Sequence, residues 1–392
     1  MKESILYSKA INGNVICNTC SHYCNIPEGS VGKCGLRINI DGKLNVLNSG
    51  KIIHIAVDPI EKKPLFHFFP GSKILSISGL GCNFRCPYCI NWDTAQFPSI
   101  YVKEHNREET NALIEDSGYD LKPDEVIEQC KSLGLESIAY TYNEPTIMLD
   151  TYLPIMKLAR KNNIKNVWVS NGYFSLQSFN LFSPYLDAIN IDLKSYSEKF
   201  YKRHCEGNLE VVKNNIRLCY ENNIWVEVTT LLIPGENDTE LEIKKIASFV
   251  NNISSNIPLH FTAFTPEYRM LDKSITPSKK LRKAQEIAQE IGLKFIYTGN
   301  DSEPSNTYCP DCHLLIIERK YLVGKVISEN TISDNRKESS HEKSDIAMNI
   351  MSKGEKAKNR GIKSLRDSQK ATTDTQNHLL CKKCGFDIAG RF

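Results

Sequence analysis

From about residue 72 to residue 300, short apolar runs rich in β-branched residues alternate with longer segments whose apolar residues recur at three- and four-residue spacing. The runs read KILSISG, SIAYTY, NVWVS, AINIDL, WVEVTTLLI, LHFTAF and KFIYTG. Between them lie PDEVIEQCKSLG, MLDTYLPIMKLARKNN, EGNLEVVKNNIRLCYENN, NDTELEIKKIASFVNN and SKKLRKAQEIAQEIG, each with a helical period. Such alternation predicts an α/β fold, a parallel sheet wrapped by helices, as a doubly wound sheet or a (β/α) barrel. The polar residues favour the barrel. Cys82 follows the first run, Asn143 and Glu144 the second, Ser170 and Asn171 the third, Asp192 and Lys194 the fourth, and PGEND the fifth. A barrel draws its functional groups from the ends of many strands, whereas a doubly wound sheet gathers them at one crevice.

The flanks read differently. Residues 1–71 form an N-terminal cysteine-rich appendage with short strand-like runs such as KLNVLNS and KIIHIAV, and residues 301–392 form a C-terminal one. Within the latter, from Ile327 to His378, the chain turns to Ser, Lys, Asn, Asp and Glu without one aromatic residue. Too little apolar surface is available there to offset the entropy of ordering, so this insert is expected to be disordered, with IAMNIM as a transient helix at most.

Composition removes some function classes. A formal charge of +3 predicts no polyanion partner, and no interleaved basic and aromatic stretch argues for nucleic acid. No segment approaches the roughly 18 apolar residues of a membrane span, and no leader pattern opens the chain, which predicts a cytoplasmic protein without a membrane partner. Fourteen cysteines in that compartment point to metals or redox chemistry rather than disulfides. Eleven of them fall into groups, and Cys130, Cys205 and Cys219, inside helix-like patterns, read as packing residues.

The most specific group is GCNFRCPYCINW, Gly81 to Trp92. Three thiolates of C-x-x-x-C-x-x-C can hold three irons of a 4Fe-4S cubane and leave the fourth iron open, while Phe84, Tyr88 and Trp92 suit a shielded cluster. A zinc site completed by a distant residue such as His67 is the simpler alternative. This loop resembles the signature of radical S-adenosylmethionine (SAM) enzymes. Together with DPIEKKPLFHFFPGS, IAYTYNEPTI, NVWVSNGY, NIDLKSYSEKFY and LLIPGEND, it resembles the group related to pyruvate formate-lyase activating enzymes, and more closely the radical SAM member of the AmmeMemoRadiSam system.

The resemblance implies a partial (β/α) barrel over residues 72–300. It also implies reductive cleavage of SAM at the open iron to methionine and a 5'-deoxyadenosyl radical that abstracts hydrogen. Cys82, Cys86 and Cys89 would be the cluster ligands, and Tyr88 would lie near the adenine. Thr141, Tyr142, Asn143 and Glu144 occupy the place of a Gly-Gly-Glu motif that contacts the SAM amino group; with both glycines replaced, Glu144 and nearby backbone keep that role. Ser170 and Asn171 would meet the ribose or carboxylate, and Asp192 with Lys194 would hold SAM or substrate. Each has a simpler reading: Asn143 and Glu144 as helix caps, Asn171 as turn chemistry before Gly172, Lys194 as a solvated charge. His260 and Arg269 either line the substrate space or pack.

Two further cysteine groups have metal-site spacing. Cys17, Cys20, Cys24 and Cys34 can close a site for zinc or an auxiliary iron-sulfur cluster, with His22 as a substitute ligand. Cys309 with Cys312, and Cys381 with Cys384, resemble the two knuckles of a zinc-ribbon or rubredoxin-like site for zinc or iron, separated by the polar insert, with independent exposed pairs or a redox-active pair as the alternatives. The expected activity is activase-like hydrogen abstraction from a protein, with the C-terminal module helping to receive it. An electron donor is then required, and AMMECR-type and Memo-like proteins are the partners implied. The competing class is a metal-binding scaffold or iron-delivery protein without SAM turnover.

Overall fold

In the computed structural model, residues 1–104, 106–320, 322–327 and 379–392 are described. The insert expected to be disordered lies outside the described residues, apart from Ile327. One eight-stranded sheet dominates. Its strands are β1 (His54–Pro59), β2 (Lys73–Ser78), β3 (Ser137–Tyr140), β4 (Lys165–Ser170), β5 (Ala188–Asp192), β6 (Trp225–Leu232), β7 (Leu259–Ala263) and β8 (Ile296–Gly299). They lie side by side in chain order, β2 to β8 parallel and β1 antiparallel to β2. β8 and β1 do not pair, so the barrel is partial, as the resemblance implies.

The local reasons are those of the sequence pattern. The parallel strands are covered on both faces and therefore read as near-continuous apolar runs, as in β3, buried throughout. The connecting helices are α1 (Pro123–Ser132), α2 (Leu149–Lys161), α3 (Leu176–Phe182), α4 (Leu209–Glu221), α5 (Glu240–Ile253) and α6 (Ser278–Ile291). The side chains of Asn208 and Thr239 accept backbone N–H groups to start α4 and α5, and Gly292 in a left-handed conformation ends α6. α3 is too short to show a helical period and is absent from the sequence reading. Its Phe182 nonetheless packs against the buried Trp168 at a ring separation of 4.1 Å.

The barrel begins earlier than the expected boundary at residue 72, since β1 and the floor residues Phe66 to Phe68 belong to the 1–71 segment. The chain before β1 and the C-terminal appendage dock at opposite ends of the barrel. The N-terminal one lies beside the loop after β2: His22 Nε2 meets the Asn83 carbonyl at 2.8 Å, and Arg85 donates to the Lys33 carbonyl. The C-terminal one closes the floor, where the parallel strands begin. Arg319 is buried under the barrel, donating to the Phe66 carbonyl at 2.7 Å with its guanidinium over the Phe66 ring. Arg391 pairs with Phe68, and Ala389 and Arg391 border a groove with Ile224, Trp225 and Ile257, which lead into β6 and β7.

Candidate active site

At the other end of the barrel a cavity of about 580 Å³ opens among the carboxyl ends of the strands. Its lining includes Cys82, Cys86, Tyr88, Cys89, Asn143, Glu144, Ser170, Asn171, Asp192 and Lys194, so ten residues spread over 113 positions of sequence meet in one space. The volume lies within the roughly 300–1,000 Å³ typical of ligand sites.

The cysteine loop is held from several directions. Gly81 takes φ 84°, and a Cβ there would press on Leu36 and Ile147. Arg85 donates to the carbonyls of Cys82 (2.9 Å) and Phe84 (2.8 Å), and Gln96 to that of Phe84. Asn143 Nδ2 donates to the Gly81 carbonyl at 3.0 Å and Asn91 Nδ2 to that of Tyr142, tying the loop to the end of β3. Cys82 Sγ accepts from Phe84 N at 3.4 Å and Asn171 Nδ2 at 3.7 Å. Burial first, then the Glu144 carboxylate, pushes the Cys82 thiol up, and burial takes Cys89 to about 12. A thiolate there needs a cation beside it, so metal loading would release protons.

Glu144 is 1% exposed and its carboxylate is occupied. It accepts from Thr146 N and Oγ1, from Ser170 Oγ (2.9 Å) and from Asn171 N (2.8 Å). It therefore caps the 3-10 turn Pro145–Met148, the simpler of its two sequence readings, and also clamps the end of β4. Asn171 likewise combines turn chemistry, accepting Tyr173 N through Oδ1, with a 2.7 Å bond from Nδ2 to Asn83 Oδ1 in the cysteine loop. Lys194 pairs with Asp192 at 2.9 Å. Burial alone would lower its pKa, but Asp192 and the neighbouring thiols overcome that and hold it well above the ordinary lysine value.

Other expectations change. His67 is far from the cysteine loop, buried in the floor between the Ala389 carbonyl and the Tyr297 hydroxyl, so it completes no metal site with those cysteines. His260 packs, bonding Glu227 at 2.7 Å and meeting Phe66 edge-on. Arg269 lies over Tyr268, whose ring stacks on Trp92, and its backbone N–H bonds the Pro87 carbonyl, so that segment covers the cysteine loop. The C-terminal module, expected to receive the substrate, sits at the end away from the cavity. His22 bonds a backbone carbonyl. Cys17 N donates to the Cys24 carbonyl at 2.9 Å, yet among the described residues only the C-terminal four cysteines converge within 4.8 Å.

Two features escaped the sequence reading. Cys205, taken as packing, ends a π turn, with its Sγ 3.9 Å from Cys86 Sγ and 3.8 Å from the Tyr88 hydroxyl. No spacing signal could find a residue 119 positions away. Lys62 and Lys63 also line the cavity. Lys63, 1% exposed, pairs with Asp58 at 2.6 Å under the Tyr142 ring, and burial lowers its pKa to about 8. Tyr142 itself takes φ 67°, uncommon for a bulky residue. The paired lysines of DPIEKKP were the available signal.

Residues 76–250 match the family model of the Radical SAM superfamily. The chain is 38% identical over 331 residues to uncharacterized protein MJ0808 of Methanocaldococcus jannaschii, covering 84% of this chain and 94% of the relative. It belongs to the radical SAM superfamily, whose members use a 4Fe-4S cluster and SAM. A second relative in that organism, MJ1632, named as a candidate glycyl-radical enzyme activating enzyme, is 27% identical, covering 55% of this chain and 77% of its own length. Among solved structures, Streptococcus suis SuiB bound to S-adenosylmethionine is similar at TM-score 0.44 and 14% identity, over 61% of this chain and 52% of SuiB.

The residues present fit that pair of cofactors. Three thiols face one cavity, and the buried Oδ1 of Asn143, also in its lining, has no partner among the described residues and offers an acceptor to a ligand N–H. No helix among the described residues is long and apolar enough to cross a membrane.

Proposed function

We propose that this protein is a radical SAM enzyme that abstracts hydrogen from a protein substrate, in the manner of the activating enzymes it resembles, as the radical SAM member of an AmmeMemoRadiSam system. The observation that carries the reading is the single cavity shared by Cys82, Cys86 and Cys89 and by polar groups from the ends of three further strands. When bound, the cluster and SAM supply one-electron cleavage of the sulfonium and a 5'-deoxyadenosyl radical.

The chain's own residues do the rest. Cys82, Cys86 and Cys89 would hold the cluster, with Asn171 Nδ2 and Phe84 N donating to the Cys82 sulfur. Hydrogen bonds to cluster sulfurs are one determinant of potential. Glu144 and Ser170 fix Asn171 in that position. Tyr88 and Phe84, both buried, exclude water, and the Asp192–Lys194 pair presents fixed charge to SAM or substrate. Ile90, 76% exposed beside Trp92 stacked on Tyr268, gives the cavity an apolar rim suited to a polypeptide. The name of the relative MJ1632, an activator of another enzyme, supports the same substrate class. AMMECR-type and Memo-like proteins are the candidate partners, besides an electron donor. A scaffold that never turns over SAM would need none of the strand-end polar groups.

The test is anaerobic reconstitution with iron and sulfide, then assay of 5'-deoxyadenosine with and without the candidate partners. The expected result is SAM cleavage, stimulated by one partner and abolished when Cys82, Cys86 and Cys89 are replaced by alanine. Cleavage retained in that variant removes the cluster assignment. Iron bound without any cleavage supports the scaffold instead.

A further inference from the structure

The two C-terminal cysteine pairs meet across the chain and behave as one unit. Cys309 Sγ lies 3.6 Å from Cys384 Sγ and Cys312 Sγ 3.5 Å from Cys381 Sγ, and all four sulfurs fall within 4.8 Å of one another. Magnitudes decide what this means. A disulfide holds its sulfurs about 2.05 Å apart. Four sulfurs bound at about 2.3 Å to one tetrahedral ion stand about 3.8 Å apart. An iron-sulfur cluster, with several metals between its ligands, holds them wider. The observed set has single-ion dimensions.

The backbone says the same twice. Cys309 N donates to the Leu314 carbonyl and Cys381 N to that of Phe386, both at 2.8 Å. His313 N returns to the Cys309 carbonyl, and Gly385 N to that of Cys381. His313 and Gly385 both take positive φ, 57° and 77°. CPDCHL and CKKCGF share only their cysteines, yet fold into the same knuckle.

The chain around and beyond the second knuckle gives the site a task. Leu379–Leu380 and Asp387–Ile388 form a hairpin of two-residue strands, too small to be stable alone. Beyond it the Ala389 carbonyl meets His67 Nδ1, Phe69 N donates to the Arg391 carbonyl and Arg391 N to that of His67, both at 2.7 Å. The first knuckle comes soon after β8.

We propose that Cys309, Cys312, Cys381 and Cys384 bind one divalent thiolate-preferring ion, zinc(II) or iron(II), in a closed site, and that this ion fastens residues 379–392 across the barrel floor. The site is independent of SAM chemistry at the other end of the barrel. Purified anaerobically, the full chain with Cys82, Cys86 and Cys89 changed to serine should carry one zinc or iron that is lost when Cys309 and Cys384 are also changed to serine. Elemental analysis distinguishes the two metals. Hydrogen exchange at Phe69 and Arg391 should accelerate at least about tenfold on metal loss. Stripping the unmodified chain with a chelator and restoring zinc or iron(II) should reverse that change, which guards against a misfolded variant. Metal content unaffected by Cys309→Ser with Cys384→Ser, or protection at Phe69 and Arg391 that ignores loading in the unmodified chain, overturns the proposal.

Discussion

The two ends of this barrel are built from the same kinds of residue and do opposite things. At the mouth, buried polar groups point into a cavity, and one of them, Asn143 Oδ1, is left without a partner among the described residues. At the floor, Glu227 in β6 accepts from Phe66 N, His67 N, Trp225 Nε1 and His260 Nε2. His67, Tyr297, Thr307 and Arg319 continue the same chain of bonds into the C-terminal module. Arg319 Nε, 4.0 Å from Glu61 Oε1, is an unbonded exception at the floor, but polar groups bonded mostly to one another hold a structure, whereas a cavity lined by polar groups is available to a ligand. The cysteine groups differ as well. Among the described residues the set beneath the floor converges within 4.8 Å, and the set beside the mouth forms no such group.

That contrast breaks most sharply at Glu227. Replacing it with alanine leaves four donors unpaired, three of them buried, so Glu227→Ala should cost about 3–5 kcal/mol of stability. If the ends are independent, enough folded protein at low temperature should still bind SAM with unchanged affinity, as calorimetry would show. SAM affinity falling in step with Glu227 would mean the floor is part of the site.

A second test uses pH. Desolvation pushes the pKa of the fully buried His67 down to about 4 from 6.5. As pH falls through 6.5 the unfolded chain takes up this proton first, so the contribution is full above pH 6.5 and is lost towards pH 4. Its size is at most about 3 kcal/mol. Thermal melts from pH 7.5 to 4 should show a shallower decline in His67→Gln than in the parent. Identical slopes would mean that His67 is solvated and the tail not closed over it.

The smallest effect is expected at Glu144. With its carboxylate committed to Thr146, Ser170 and Asn171, Glu144→Gln should cost about 1–2 kcal/mol, chiefly as a cap and clamp. Lower melting with SAM affinity within a few-fold of the parent supports that role. Unchanged melting with a large loss of SAM affinity would show direct contact with the cofactor and sharpen the contrast with the self-bonded floor.

Much of this was legible in the chain because it is periodic or local. Strand and helix alternation depends on neighbours a few residues apart, and GCNFRCPYC is one loop. The three cysteines and the strand-end residues could be assigned to one mouth because a parallel barrel sends every carboxyl strand end the same way. Glu144 and Asn171 show the limit. Their position at the mouth was readable, but their hydrogen bonds to each other and to Asn83 depend on distances across three strands. Cys205 illustrates it again, since nothing in a helix-like pattern records which sulfur will lie 3.9 Å away.

By itself, then, the sequence determined the α/β alternation, the strand-end placement of its polar residues and the identity of three clustered thiols, because each depends on short-range spacing and strand direction. Only the tertiary structure decided which appendage lies at which end, that His67 and His260 serve the floor, and that Cys205 lies against Cys86, while the four C-terminal cysteines read as two knuckles of one site do meet as one tetrad. Those facts rest on packing between segments far apart in the chain. The cost of closing a long loop grows too slowly with length for spacing alone to reveal such pairings.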